Sequence, residues 1–210
     1  MSPRPRQASD EDILKAAFRA IARLGPAKLT LADVAGEAGL SAAALVQRFG
    51  SKRGLLLAVS ASAVTGIDGC FEAILERVRR ERSSPLAALI DAATEMSRNS
   101  QSPEEMANHL AFLQIDVSDP NFHAHMLELS RRIESGYRAL LDAAVAAGEI
   151  VKCDTARLAR AIGGLCGGSL IGWAVFREGT AEAWVRKDLD VLIGPYRTAS
   201  RAKKGGRRRR

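Results

Sequence analysis

Apolar residues return at helical spacing along nearly the whole chain of 210 residues, and no run alternates in the manner of a half-buried strand. Between Asp10 and Leu24, the residues Ile13, Leu14, Ala17, Phe18 and Ile21 fall on one side of a helix and are expected to face inward. A shorter run has Leu31, Val34, Ala35 and Ala38 at the same spacing, and a third has Ala44, Leu45 and Phe49. The residues at the joints explain the breaks. Thr30 and Asp33 stand at capping-box spacing, so a helix begins after Thr30. Gly39 supplies the left-handed backbone that ends it, Leu40 drops between the two helices, and Ser41 caps the next. Ser51 and Lys52 open a further helix.

Downstream, the prolines mark helix starts. Ser84-Pro85, Ser102-Pro103 and Asp119-Pro120 each put a capping residue before a proline at the first helical position. Asp154-Thr155 and Gly179-Thr180 supply two more starts, Gly148 ends the helix that begins at Pro120, and Gly194-Pro195 stops or kinks the last one. No proline falls inside a predicted helix. The expected fold class is all-α, with about nine helices.

Two short helices around a tight turn are built to set the second helix in the major groove of DNA. Here the second helix turns Ala42, Ala43, Val46 and Gln47 outward, with Arg48 more lateral. Lys52 is a cation near a helix start, where it opposes the helix dipole, so its use points to an outside anion such as a DNA phosphate. The stretch Thr30 to Lys52, together with the upstream helix and Leu55-Leu56, resembles the TetR family of bacterial transcriptional regulators over about fifty residues. The resemblance implies a three-helix DNA-binding domain followed by a helical ligand-binding and dimerisation bundle, with Thr30, Ser41, Ala42, Ala43, Val46, Gln47, Arg48 and Lys52 at the DNA. It implies a homodimer on a palindromic operator, most often a repressor released by a small molecule. Two departures matter. The family often has Lys-Gly-Thr where this chain has Ala42-Ala43-Ala44, and usually a Tyr where it has Val46. Alanines offer no hydrogen bonds to bases, although Ala42, Ala43 and Val46 suit thymine methyl groups, Gln47 suits adenine, and Arg48 suits guanine or phosphate. The direct code is thin, and DNA shape is expected to contribute. The alternative is a plain helix surface of high propensity.

Charge separates along the chain in a way that its net value of +7 conceals. The last ten residues hold seven cations and no acid, residues 1–57 carry nine Lys or Arg against five Asp or Glu, and residues 58–200 carry 15 against 19. The basic part is the one that would touch DNA. The divisions expected are a flexible arm at residues 1–9, the DNA-binding domain at 10–57 with its motif at about 30–49, an effector-binding and dimerisation domain at 58–199, and a basic disordered tail at 200–210. The tail reads either as a non-specific DNA arm or as a solvated end, and Arg4 and Arg6 pose the same choice at the other terminus.

The segment Asp154 to Phe176 carries five glycines, Gly163, Gly164, Gly167, Gly168 and Gly172, at roughly 1 kcal/mol each against alanine in a helix. Close approach of another helix would offset that, and the resemblance implies that the last two long helices form a four-helix dimer interface. The candidates are Leu158, Ile162, Leu165, Gly168, Gly172, Trp173, Trp184 and Leu192; an intramolecular core is the alternative. In the middle helices Met96, Met106, His109, Leu110, Leu113, His125, Met126 and Tyr137 mix apolar bulk with polar atoms, the composition of a pocket for a small apolar or mixed-polarity effector and equally of a helical core. His123 and His125 lie two apart and point to different sides, so no metal is expected there. Cys70, Cys153 and Cys166 form no CxxC pair and read as small core residues. The richest apolar stretch, Ala161 to Phe176, is short and glycine-rich for a membrane span, and no signal-peptide pattern begins the chain, so a bacterial cytoplasmic protein is expected, at the nucleoid when on DNA. There is no GxSxG, Walker loop, HExxH or dinucleotide fingerprint, so neither an enzyme nor a cofactor is expected. A helical enzyme or a protein-binding adaptor is the competing class, and neither gives a reason for the charge split.

Overall fold

The computed structural model describes residues 8–98 and 101–198. The arm with Arg4 and Arg6 and the Arg-rich tail lie outside them, as does the side chain of Met96. Among the described residues there are nine α-helices: α1 (Asp10–Lys28), α2 (Leu31–Ala38), α3 (Ala42–Phe49), α4 (Lys52–Glu81), α5 (Pro85–Ser97), α6 (Pro103–Ser118), α7 (Pro120–Ala146), α8 (Thr155–Phe176) and α9 (Ala181–Ile193). A short 3-10 turn follows at Gly194–Tyr196, and the only β-type pairing among these residues is a single bridge between Ile150 and Arg197.

The caps stand where the capping residues predict them. The Ser84, Ser102, Asp119, Asp154 and Thr180 side chains each accept a backbone N–H of the helix they start. α1 differs from expectation. It runs on to Lys28 through a kink at Gly25, whose φ of 75° is left-handed, and Pro26 lies inside the helical span as the start of its last short piece. The Asn108 side chain of α6 secures that kink, donating to the Ala22 carbonyl at 2.8 Å and filling the space where a Cβ on Gly25 would stand.

Two large cores result. One gathers α4, α5, α7, α8 and α9 around Tyr137, Leu140, Leu141, Ile162, Val185 and Leu189. The other holds α1–α3 and the start of α4 around Ile13, Ile21, Val34, Leu45 and Leu55, and it also takes in Phe122 of α7, which is 1% exposed, with Phe112 and Ile115 of α6 at its edge. Phe112 and Phe122 meet edge to face at 6.2 Å between ring centres. The N-terminal domain is thus completed by side chains from the bundle. α4 and α8 are long and apolar enough by length and composition to cross a membrane, but in this fold each packs along neighbouring helices.

Candidate nucleic-acid interface

The turn between α2 and α3 has the geometry its sequence calls for. Thr30 and Asp33 form the reciprocal capping box, the Thr30 hydroxyl donating to the Asp33 carboxylate at 2.6 Å. These contacts with Thr30 hold the Asp33 carboxyl below its ordinary range. Gly39 ends α2 with φ 66°, and Ser41 accepts the Ala44 N–H at 3.2 Å to start α3. α3 buries Leu45 completely and Phe49 in part, which leaves Ala43, Val46 and Gln47 exposed and Ala42 half-buried. The outward face of α3 therefore offers small apolar surface and one amide.

Both predicted cations make contacts inside the molecule. Arg48 donates to the Ala8 carbonyl at 2.8 Å and to Asp10 at 3.3 Å, fastening the end of α3 to the start of α1. Both contacts run through one guanidinium nitrogen, so they steady α3 while the other donors of Arg48 stay open to an outside anion. Lys52 donates to the Ala27 carbonyl at 3.1 Å, beside the last turn of α1. An ammonium has three donors, so that contact leaves two for an outside anion.

A residue that sequence reasoning passed over ties this head to the bundle. Arg53, in the first turn of α4, donates through one nitrogen to both carboxylate oxygens of Asp119, at 3.0 and 2.7 Å, and its guanidinium lies 5.5 Å over the Phe122 ring. Asp119 also caps α7, accepting the Asn121 N–H at 3.0 Å. The Arg53 hydrogen bond holds the Asp119 carboxyl below its ordinary range. No spacing rule links residues 66 apart, so no sequence signal marked this pair. A second bridge is buried: the Ser60 hydroxyl of α4 donates to Asp116 of α6 at 3.2 Å, and burial pushes the Asp116 carboxyl up.

The predicted effector residues are not brought around one cavity. Met106 packs with Trp173 and Ala181, with Leu110 at the edge of that cluster. His109 stacks on Phe18 of α1 at 5.7 Å, and burial lowers its pKa. Tyr137 lies in the main core, edge to face with Phe71 at 5.5 Å. Leu113 is exposed, while His125 and Met126 are half-buried on α7. Among the described residues no three His, Cys, Asp or Glu side chains gather as a metal site would require. Cys70 is exposed rather than in the core; Cys166 packs against the core, and burial pushes its thiol up to about 11. Phe18, expected inward, is 41% exposed on a groove of about 760 Å³ between α1 and α4.

The candidate interface residues on α8 and α9 divide between the subunit core and its surface. Leu158, Ile162 and Trp173 are buried within the subunit, and Leu165 and Leu192 pack against its core. Trp184 donates its indole N–H to the Glu178 carbonyl at 2.6 Å, stacks on Phe176, and lies against Gly172. The exposed stripe of α8 holds the predicted Gly168 together with Gly164, Gly167, Ile171 and Val175, with Val191 of α9 exposed at 73%. Large apolar residues so exposed, beside glycines with open space above them, form an apolar patch on the subunit surface.

Residues 13–59 match the family model described as bacterial regulatory proteins, tetR family. No curated protein gives a significant sequence match. Among solved structures, the TetR family transcriptional regulator PfmR from Thermus thermophilus is 27% identical, with a TM-score of 0.58 over 87% of this chain and 97% of its own. A transcriptional regulator from Saccharomonospora viridis in complex with choline is 21% identical, with a TM-score of 0.68 over 88% and 95%. The regulator FadR from Bacillus subtilis in complex with stearoyl-CoA is 16% identical, with a TM-score of 0.62 over 88% and 98%. The last two likenesses concern the fold alone.

Proposed function

We propose, from the premise that this chain belongs to the TetR family of bacterial regulatory proteins, that it is a homodimeric repressor, leaving a two-fold operator when a small molecule binds. Sequence-specific DNA binding by a transcriptional regulator is the family's function, and dimerisation suits it, since two recognition helices then face two half-sites. The observation that carries the reading is the exposed face of α3, presented between two capped turns on a core that α1–α3 share with α4, α6 and α7. Ala42, Ala43, Val46 and Gln47 meet base edges, while Thr30, Ser41 and Lys52 lie toward phosphates. The stripe of α8 and α9 pairs two subunits through close glycine-lined contact. That solved structures of this fold hold choline and stearoyl-CoA supports a small-molecule effector here. No catalytic step enters this reading, which places the protein in the bacterial cytoplasm and on the nucleoid when DNA-bound.

Fluorescence anisotropy on the chain's own upstream region tests the DNA claim. Gln47→Ala should relax sequence preference, and Lys52→Ala should weaken binding across sequences; if both leave affinity and preference unchanged, the assigned head is wrong. Truncation after Ser200 should flatten the salt dependence if the tail meets phosphate. Val175→Asp should yield a subunit-sized mass in dilute solution, and a wild-type chain that is already monomeric refutes the dimer.

A further inference from the structure

The groove between α1 and α4 is where the amphipathic pattern of α1 is only partly satisfied: Leu14 packs at the edge of the core, and Phe18, stacked on His109, keeps 41% of its surface exposed. Leu14 and Phe18 sit one turn apart on a face that should be covered, and opposite them α4 presents Val59 and Ala63, then Gly66. A side chain added at Gly66 would meet open space, so the two helices face each other across a gap. A volume of about 760 Å³ falls within the usual range of small-molecule sites. The apolar walls run for about two helical turns, or roughly 11 Å.

The charge along the rim selects the head group. Lys15 and Arg19 stand one turn apart on α1, on the same edge. Lys15 is paired with Glu11 at 2.5 Å, but both side chains are well exposed, so the pair is weak and exchangeable. Arg19 has a surplus of charge: its neighbour Glu37 is held by Arg23 at 2.5 Å and approaches Arg19 only to 3.8 Å, beyond hydrogen-bond length. An apolar trough with a loosely engaged guanidinium at its edge matches an aliphatic chain that ends in a carboxylate.

We infer that the α1–α4 groove is the effector site and that it takes a free medium-chain carboxylic acid, the chain against Leu14, Phe18, Val59 and Ala63 and the carboxylate at Arg19 and Lys15. The inference rests on the ligand-responsive reading for its regulatory meaning, though not for the binding itself. α1 and α4 are two walls of the core that holds Leu45 of α3, so a ligand wedged between them bears directly on the attitude of the recognition helix.

Isothermal titration calorimetry of the full-length protein with decanoate tests this, with decanol as the neutral control. One saturable site per subunit is expected. Ala63→Phe, at an exposed position, should abolish it while leaving the melting curve in place. Arg19→Gln should weaken decanoate by about two- to fivefold, as befits an ion pair at a well-exposed guanidinium, and leave decanol unchanged. Absence of saturable heat in the wild type, or full decanoate affinity in Ala63→Phe, overturns the site. Equal losses for decanoate and decanol in Arg19→Gln overturn the carboxylate. Operator binding without decanoate is measured separately, so a failed regulator reading and a failed site give different results.

Discussion

Gly54→Ala is the substitution for which sequence and structure give opposite signs. By propensity alone an alanine in a helix is better than glycine by about 1 kcal/mol, and the variant should be more stable. In the structure, a Cβ at position 54 would lie 2.0 Å from the Phe49 carbonyl oxygen and 3.2 Å from its carbon. Ordinary contact begins at 3.4 Å, so the oxygen must retreat by about 1.4 Å, and it is a backbone atom with no rotamer to change. That oxygen also accepts the Ser51 N–H at 2.8 Å, which fixes the corner between α3 and α4. Overpacking of this kind costs about 1–3 kcal/mol, and a backbone obstacle puts it near the upper end. The net expectation is destabilisation by about 2 kcal/mol, whereas Gly69→Ala, in open space on the same helix, should gain about 1 kcal/mol. At about 2–4 °C per kcal/mol for chains of this size, the two variants should melt about 6–12 °C apart at equal protein concentration. Operator affinity should fall for Gly54→Ala under conditions where it remains folded, because the corner carries the recognition helix. A Gly54→Ala protein that melts at or above the wild type refutes the reasoning.

Three further outcomes follow from the joints between the halves. Phe122→Ala should lower stability by about 3–5 kcal/mol in chemical denaturation and weaken DNA binding too, although residue 122 lies far outside the N-terminal domain in sequence. Asp119 has a folded pKa below its unfolded value of about 3.9, so its contribution is present above that pH and lost as pH falls through the folded pKa; Asp119→Asn should remove that acid-side loss from the melting profile. Asp116 has the opposite sign, its folded pKa being raised by burial: its protonated form favours folding at low pH, and that advantage is lost as pH rises through the folded value. Asp116→Asn, which keeps an acceptor for Ser60, should therefore melt higher than the wild type at neutral pH and lose that gain in acid.

What could be read from the sequence is what short-range chemistry decides. Capping serines, threonines and aspartates, each followed at fixed spacing by the N–H they accept, located the helix starts from Thr30 to Thr180 without any tertiary knowledge. The outward set on α3 was legible for the same reason, because Leu45 and Phe49 fix the buried side of an eight-residue helix. Periodicity failed where a helix has more apolar residues than one neighbour can cover. On α8, Leu158, Ile162 and Trp173 face the subunit core while Ile171 and Val175 face outward, and only the position of α7 and α9 decides which is which. Phe18 failed in the same way, since the size of the residues opposite it on α4 is invisible in the pattern of α1. The tie of Arg48 to α1 was out of reach of the sequence because its partner, the Ala8 carbonyl, is a backbone atom 40 residues away.

The Arg53–Asp119 pair separates two roles that a single substitution confounds. Asp119 both receives Arg53 and caps α7, so Asp119→Arg breaks the tie to α4 and puts a cation at a helix N-terminus, where the dipole opposes it. Arg53→Asp breaks the same tie but places an acid in the first turn of α4, where the dipole favours it. If the tie sets the attitude of α3 by fixing the first turn of α4 to the first turn of α7, the double exchange restores a guanidinium–carboxylate contact across the joint and should recover part of the operator affinity lost in both single variants. Thermal stability should not recover in step, because arginine has no acceptor for the Asn121 N–H and the cation no longer lies over Phe122. Coupled recovery of both quantities would mean that the pair acts only through stability. Recovery of neither, in a double variant that still dimerises, would remove the pair from the path between bundle and reading head. Recovery of affinity alone would mark a 66-residue separation in sequence as one hydrogen-bonded step in the path by which the bundle orients α3.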